Sequence, residues 1–259
     1  MATVNASRIY ANASLRSGEP LPLHSEPPAI LLSSVSVLAP CRANLLFKAM
    51  AAERCRRRGI CSPCIPFSFP EDGCHARAHR MCALLLKEHD VCAGKIWLFG
   101  DPYPRPATLH PSARHNPRVP LLWRYHVAPF IQVQTKRKTK IQVIDPALFA
   151  APVSKAVWKA AQRDPKAKFD FTDASVYDRP ESGEVYEDAD FSATPRDLSL
   201  YRALLRQRLT RRPASLGCSS TMPPDNIVSP AARPNFASRQ MVRNASPKKA
   251  LSKKAGDKR

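Results

Sequence analysis

The chain has 259 residues, a formal net charge of +20 at pH 7 and 44% apolar residues, enough for one moderate core with tails. No stretch is long enough to cross a bilayer as a helix. The basic residues gather at Arg54, Arg56, Arg57 and Arg58, at Lys136, Arg137, Lys138 and Lys140, and in the tail beyond Arg211. With no helix-turn-helix, zinc-finger or RNA-recognition pattern, that distribution argues against a specific nucleic-acid reader.

Residues 1–59 are expected to be disordered or misassigned, with Met50 as an alternative start. The apolar run Ala29 to Ala39 is like the middle of a signal peptide, but it lies too far from Met1 and behind little positive charge. A folded domain is expected over 60–210. Pro63 to Pro70 is an extended approach, because each residue before a proline is pushed out of the helical region. Asp72 offers an N-cap to a helix over Cys74 to His89, with Ala78, Met81, Cys82 and Leu85 on one face. Lys95 to Phe99 is a predicted strand, and Asp101 to Pro120 a proline-rich loop. Leu122 to Val133 and Lys140 to Ile144 form a predicted antiparallel hairpin around the polar turn Thr135 to Thr139. Pro152 starts a predicted helix to Arg163, with Val153, Ala156, Val157 and Ala160 on its apolar face. A loop carrying Asp170, Asp173 and Asp178 follows, then a helix over Pro195 to Leu209. Residues 211–259 form a basic tail rich in proline, serine and lysine, expected to be disordered.

Seven of eight cysteines lie in the N-terminal half. Cys61 and Cys64 are spaced for a disulfide or half a zinc site, and zinc would need Cys55 and Cys74 as well. His75 and His79 sit one helical turn apart, yet no carboxylate accompanies them. Exposure is therefore expected for both, and no metal site is assigned.

Three residues carry chemistry together. Cys74 begins a helix, where unpaired amides and the helix dipole favour a thiolate. Counting outward from the hairpin turn brings His126 and Asp145 onto adjacent strands, offset by a few residues. A hydrogen bond between them is within reach of the inter-strand spacing of about 4.8 Å. A thiol, an imidazole and an orienting carboxylate make a nucleophile, a base and its support. Trp123 and Tyr125 alternate with His126 and are candidate walls of a substrate site, although strand-core packing would use them equally well. The same three residues would also suit a transglutaminase or a cysteine peptidase. A non-catalytic basic protein binding zinc or nucleic acid is the alternative from another class.

At these residues the chain resembles the bacterial protein-glutaminases, also called protein-glutamine deamidases. The resemblance rests on Ile65-Pro66-Phe67-Ser68-Phe69-Pro70, the block Asp72 to His79, the strand Trp123 to Pro129 and Ile144-Asp145-Pro146. It implies a papain- and transglutaminase-like α+β fold, with the nucleophile-bearing helix packed on an antiparallel sheet. It implies hydrolysis of the side-chain amide of protein-bound glutamine, with Cys74 as nucleophile, His126 as general base and acid, and Asp145 as the orienting group. The implied partners are proteins or peptides with accessible glutamine, and no cofactor is implied. Members of that family are exported with a signal peptide and a propeptide; neither is recognisable here. Secretion or delivery as an effector is the expectation from the resemblance, a cytoplasmic location the alternative.

Overall fold

The computed structural model describes residues 25–56, 60, 63–101, 107–115, 117, 119–178 and 185–210. Residues 1–24, 211–259 and Cys61 lie outside them, and with them the expected disorder of the basic tail and the Cys61–Cys64 spacing. Helices α1 (Ala29–Ser34), α2 (Pro40–Ala52), α3 (Cys74–His89), α4 (Lys155–Ala161) and α5 (Thr194–Thr210) surround a sheet. The strands are β1 (Val37–Leu38), β2 (Gly94–Phe99), β3 (Tyr125–Gln134), β4 (Thr139–Val143), β5 (Val153–Ser154), β6 (Lys168–Asp173), β7 (Val176–Asp178) and β8 (Tyr186–Glu187). The main sheet runs β5-β4-β3-β2-β6, with β1 joining β3 in parallel, and β7 and β8 make a separate pair. All other pairs of the main sheet are antiparallel. This is the α+β class.

Residues of β2 are buried on both faces, as a central strand covered by other layers requires. On one face α2 and α3 bring Leu46, Phe47, Met50, Met81 and Leu85 against Ile131 and Val133 of β3. On the other, Leu31 of α1 and Trp158 of α4 pack on Ile96, Leu98, Ala128 and Phe130. Helix α5 packs on the outside of α3, where Ala76 meets Leu198 and Tyr201.

Helix α3 has the bounds that its apolar spacing predicts, and Ala78, Met81, Cys82 and Leu85 are all buried. The hairpin forms as expected, with Phe130 opposite Val143 and the Thr135 amide donating to the Lys138 carbonyl at 3.0 Å. Other expectations are corrected. The folded region begins before residue 60: α2 buries Ala43, Leu46, Phe47 and Met50 in the main core. The α3 N-cap is Gly73, not Asp72; Asp72 instead accepts a 2.7 Å hydrogen bond from the Gly73 amide.

Residues Val153 and Ser154 pair with β4 as an edge strand, and Ser154 caps α4 by accepting from the Val157 amide at 3.3 Å. That start turns Trp158 inward and leaves Val157 exposed, the reverse of the predicted face. The expected acidic loop is partly sheet, with Asp170 inside β6 and Asp178 ending β7. Cys64 is bonded to Cys55 rather than placed for zinc, and the bridge ties the end of α2 to the approach segment.

Candidate active site

The site is assembled at the N-terminal end of α3. Gly73 holds φ at +76°, a left-handed value that glycine adopts without penalty. A Cβ there would also overlap the Tyr201 ring. The turn is tied down by Arg77, whose Nη1 donates to the Phe69 carbonyl at 3.0 Å and to the Asp72 carbonyl. Helix α5 clamps the approach from outside. Arg202 donates to the Cys64 carbonyl at 3.1 Å, and Arg208 pairs with Glu71. These bonds fix where Cys74 starts the helix, with its thiol free and buried against Ala78, Trp97, Phe99 and Val127.

The hairpin supplies the second component. Pairing of β3 with β4 stops at Phe130–Val143, and the chain turns at Asp145, whose carbonyl accepts from the amides of Leu148 and Phe149. The Asp145 carboxylate is buried and takes three donors. His126 Nε2 and Trp158 Nε1 each donate to Oδ2 at 2.9 Å, and the Ala147 amide donates to Oδ1 at 3.2 Å. Burial favours the neutral acid, but His126 and these donors outweigh it and hold Asp145 below the usual carboxylate range. An ionised acceptor on Nε2 leaves Nδ1 as the nitrogen of His126 available to another group. That atom is buried without a closed hydrogen bond. The ring packs against two indoles, with centroids 4.3 Å from Trp123 and 5.4 Å from Trp158 and interplanar angles of 24° and 27°. Two near-parallel indoles in contact limit how far the imidazole can tilt.

Burial alone would raise the Cys74 thiol. His126 and His75, as nearby donors and positive charges, overcome burial and bring it down to about 6. Burial would likewise lower His126, but Asp145 and then Cys74 raise it. The two directions both favour a thiolate–imidazolium pair.

The structure thus brings Cys74, His126 and Asp145 to one place. Trp123 stacks on the His126 ring. Tyr125 packs beside Cys74 and donates from its hydroxyl to Asp178 at 3.2 Å. Burial first, then Cys74 and Asp178, push the Tyr125 hydroxyl well above its ordinary value, so it stays protonated as a donor.

His75 and His79 are both inside, contrary to the expected exposure, and each has a carboxylate. His79 donates to Asp188 at 3.1 Å and accepts from Lys95 at 2.6 Å. Burial and then Lys95 push His79 down to about 3, which keeps it neutral in that relay. His75 points Nε2 at Asp197, 3.8 Å away. Among the described residues no group of three or more His, Cys, Asp and Glu is placed to hold a metal ion. Sequence reasoning missed His75, Asp197 and the Trp158 donor. The signal was present for the histidines, whose four-residue spacing puts both rings against Tyr177.

The family described as Glutaminase matches residues 43–162, a span that includes Cys74, His126, Asp145 and Trp158 but ends before Asp197. A crystal structure of protein-glutaminase is similar at 28% identity and a TM-score of 0.54, over 66% of this chain and 90% of that one. The NMR structure of protein-glutaminase from Chryseobacterium proteolyticum gives 27% identity and a TM-score of 0.55, over 66% of this chain and 91% of that one. A crystal structure of pro-protein-glutaminase gives 27% identity and a TM-score of 0.54, over 70% of this chain and 64% of that one. No curated protein sequence matches the chain.

Proposed function

The chain is a relative of the protein-glutaminases in sequence and in fold, and from that premise we propose that it deamidates protein-bound glutamine to glutamate through Cys74, His126 and Asp145. The observation that carries the proposal is the Asp145-bound His126, its Nδ1 unpartnered, beside a thiol lowered to about 6 at the start of α3.

The thiolate of Cys74 attacks the side-chain carbonyl carbon of glutamine, and a C–S bond forms as the C=O π pair moves to oxygen. Backbone amides at the start of α3, including that of Cys74, have no partner within the helix and face the growing negative charge. His126 gives its Nδ1 proton to the amide nitrogen, the C–N bond breaks, and ammonia leaves with a thioester in place. Neutral His126 then takes a proton from water, hydroxide adds to the thioester, and the C–S bond breaks to give glutamate. Asp145 keeps Nε2–H occupied in both halves, so Nδ1 does all the proton transfer. Trp123 and Trp158 hold the ring in the plane this requires.

Cys74→Ala should release no ammonia from a glutamine-containing protein while keeping the wild-type circular dichroism. Product mass assigns the reaction: conversion of Gln to Glu adds about 1 Da, whereas an amine adduct or a cut backbone gives another mass. Full activity in a folded Cys74→Ala protein would refute the proposal.

A further inference from the structure

We propose that His75, held by Asp197, is a second imidazole at the thiol: a fixed positive charge that keeps Cys74 ionised whatever the protonation state of His126. The inference rests on the reading of Cys74 as the nucleophile. It deepens that reading by assigning a residue pair outside Cys74, His126 and Asp145.

The geometry comes first. His75 follows Cys74 on α3, and its side chain is only 13% exposed. Its Nε2 faces Asp197 Oδ2 at 3.8 Å, and Asp197 also accepts from the Tyr177 hydroxyl. Its Nδ1 is buried and has no hydrogen-bond partner. A buried imidazole nitrogen without a partner is costly unless something nearby uses it. The Cys74 thiol is the group on which it acts, as His126 Nδ1 does from β3. The arrangement is therefore doubled: an aspartate and an imidazole with a buried Nδ1 bear on one sulfur from α3 as well as from β3.

The surrounding charges favour a permanently protonated His75. Around it lie Asp197 and Tyr201 of α5, with Arg196 beside Asp197, and Tyr177 and Asp178 of β7. Cys74 and His79 flank it on α3, while Tyr125 and His126 of β3 share the same thiol. Tyr177 and Tyr201 are both pushed above their ordinary range and remain neutral, and His79 is neutral too. Burial opposes protonation of His75, but Asp197, Cys74 and Asp178 prevail and raise it to about 10.

The division of labour follows. His126 must lose its proton to ammonia and regain one from water, so its charge alternates during turnover. His75 neither gives nor takes a proton, and its charge is constant. When the C–S bond breaks in the second half-reaction, the sulfur leaves as thiolate into a site that already carries its counter-charge.

The experiment is the pH dependence of iodoacetamide alkylation at Cys74, read by mass spectrometry on the Cys74 peptide because Cys41 and Cys92 are exposed. Full-length wild type, His75→Phe, Asp197→Asn and His126→Ala are compared. The phenyl ring keeps the packing against Tyr177 and Tyr201 without the nitrogens. Wild-type alkylation should be half-maximal near pH 6. In His75→Phe the midpoint should rise by about one pH unit or more, the usual effect of losing an adjacent opposite charge. Asp197→Asn should shift it in the same direction. His126→Ala should retain a midpoint below the ordinary value of 9.0, because His75 remains. An unchanged midpoint in His75→Phe overturns the inference; if that variant does not fold, an unchanged midpoint in Asp197→Asn does so. Deamidase activity in Cys74→Ala would instead sink the proposed function, and the alkylation midpoints do not depend on that outcome.

Discussion

Replacing Trp158 with phenylalanine removes one N–H while keeping an aromatic ring beside His126. Trp158 is fully buried, and its Nε1 donates to Asp145 Oδ2 at 2.9 Å, the same oxygen that His126 uses. Asp145 would keep the His126 and Ala147 donors and lose one of its three. A hydrogen bond to a charged group contributes about 1.5–3 kcal/mol. In a domain of this size each kcal/mol moves the melting temperature by about 2–4 °C, so Trp158→Phe should melt roughly 3–12 °C lower. The smaller ring also leaves a void, and a double-mutant cycle with Asp145→Asn separates the two effects. The void is common to both backgrounds, whereas the hydrogen bond loses its charge assistance when Asp145 is neutral. A coupling of about 1 kcal/mol is therefore expected between the two changes. Turnover should fall only about 5-fold if a similar 1 kcal/mol is felt in the transition state, because His126 keeps its own bond to Asp145. The measurements are thermal melts by circular dichroism and ammonia release under kcat/KM conditions. If the two substitutions are additive within about 0.3 kcal/mol, Trp158 does not support the carboxylate and the reasoning fails.

His126→Ala should cost about 10²–10⁴-fold in kcat/KM, and Asp145→Ala less, because the histidine moves protons in both half-reactions and the aspartate only orients it. Rates on a glutamine-containing peptide check this, and a silent His126→Ala would remove the imidazole from the mechanism. Gly73→Ala should destabilise by about 2 kcal/mol or more, since alanine at φ +76° pays about 1–2 kcal/mol and its Cβ must also displace the Tyr201 ring. Chemical denaturation reads this directly, and wild-type stability would mean that the turn before α3 is not as constrained as its geometry requires.

What the sequence disclosed divides along contact distance. Helix α3 was legible because its apolar spacing, its proline-rich approach and its start at Cys74 are all local. The hairpin was legible because its turn lies between its strands, and counting residues across it put Asp145 within reach of His126. Helix α2 was not, since it begins at Ala39 and Pro40 with no capping side chain and follows a run that resembles part of a signal peptide. Strand β6 was hidden by its aspartates: in Lys168–Asp173 the phenylalanines alternate with Asp170 and Thr172, and those two polar residues are buried as well. The His75–Asp197 pair spans 122 positions and depends on α5 folding back over α3, which no local pattern announces.

That long-range contact bears on why a buried thiolate is tolerable at all. An isolated anion out of water costs several kcal/mol, and the helix start offsets only part of that. In the proposed reading the sulfur is the middle member of a chain of alternating charge: Asp145, His126, Cys74, His75, Asp197. Arg77, which also lowers Asp145, adds a third cation against three anions. When the thiolate attacks, its negative charge moves by about one bond length onto the carbonyl oxygen. The end members, fixed by Trp158 and by Tyr177, need not move. A field arranged before reaction costs nothing to rearrange during it, which is where electrostatic stabilisation is most effective. Each carboxylate takes a bond from an aromatic donor, Trp158 on Asp145 and Tyr177 on Asp197, and the helix that brings Asp197 also clamps the approach to Cys74.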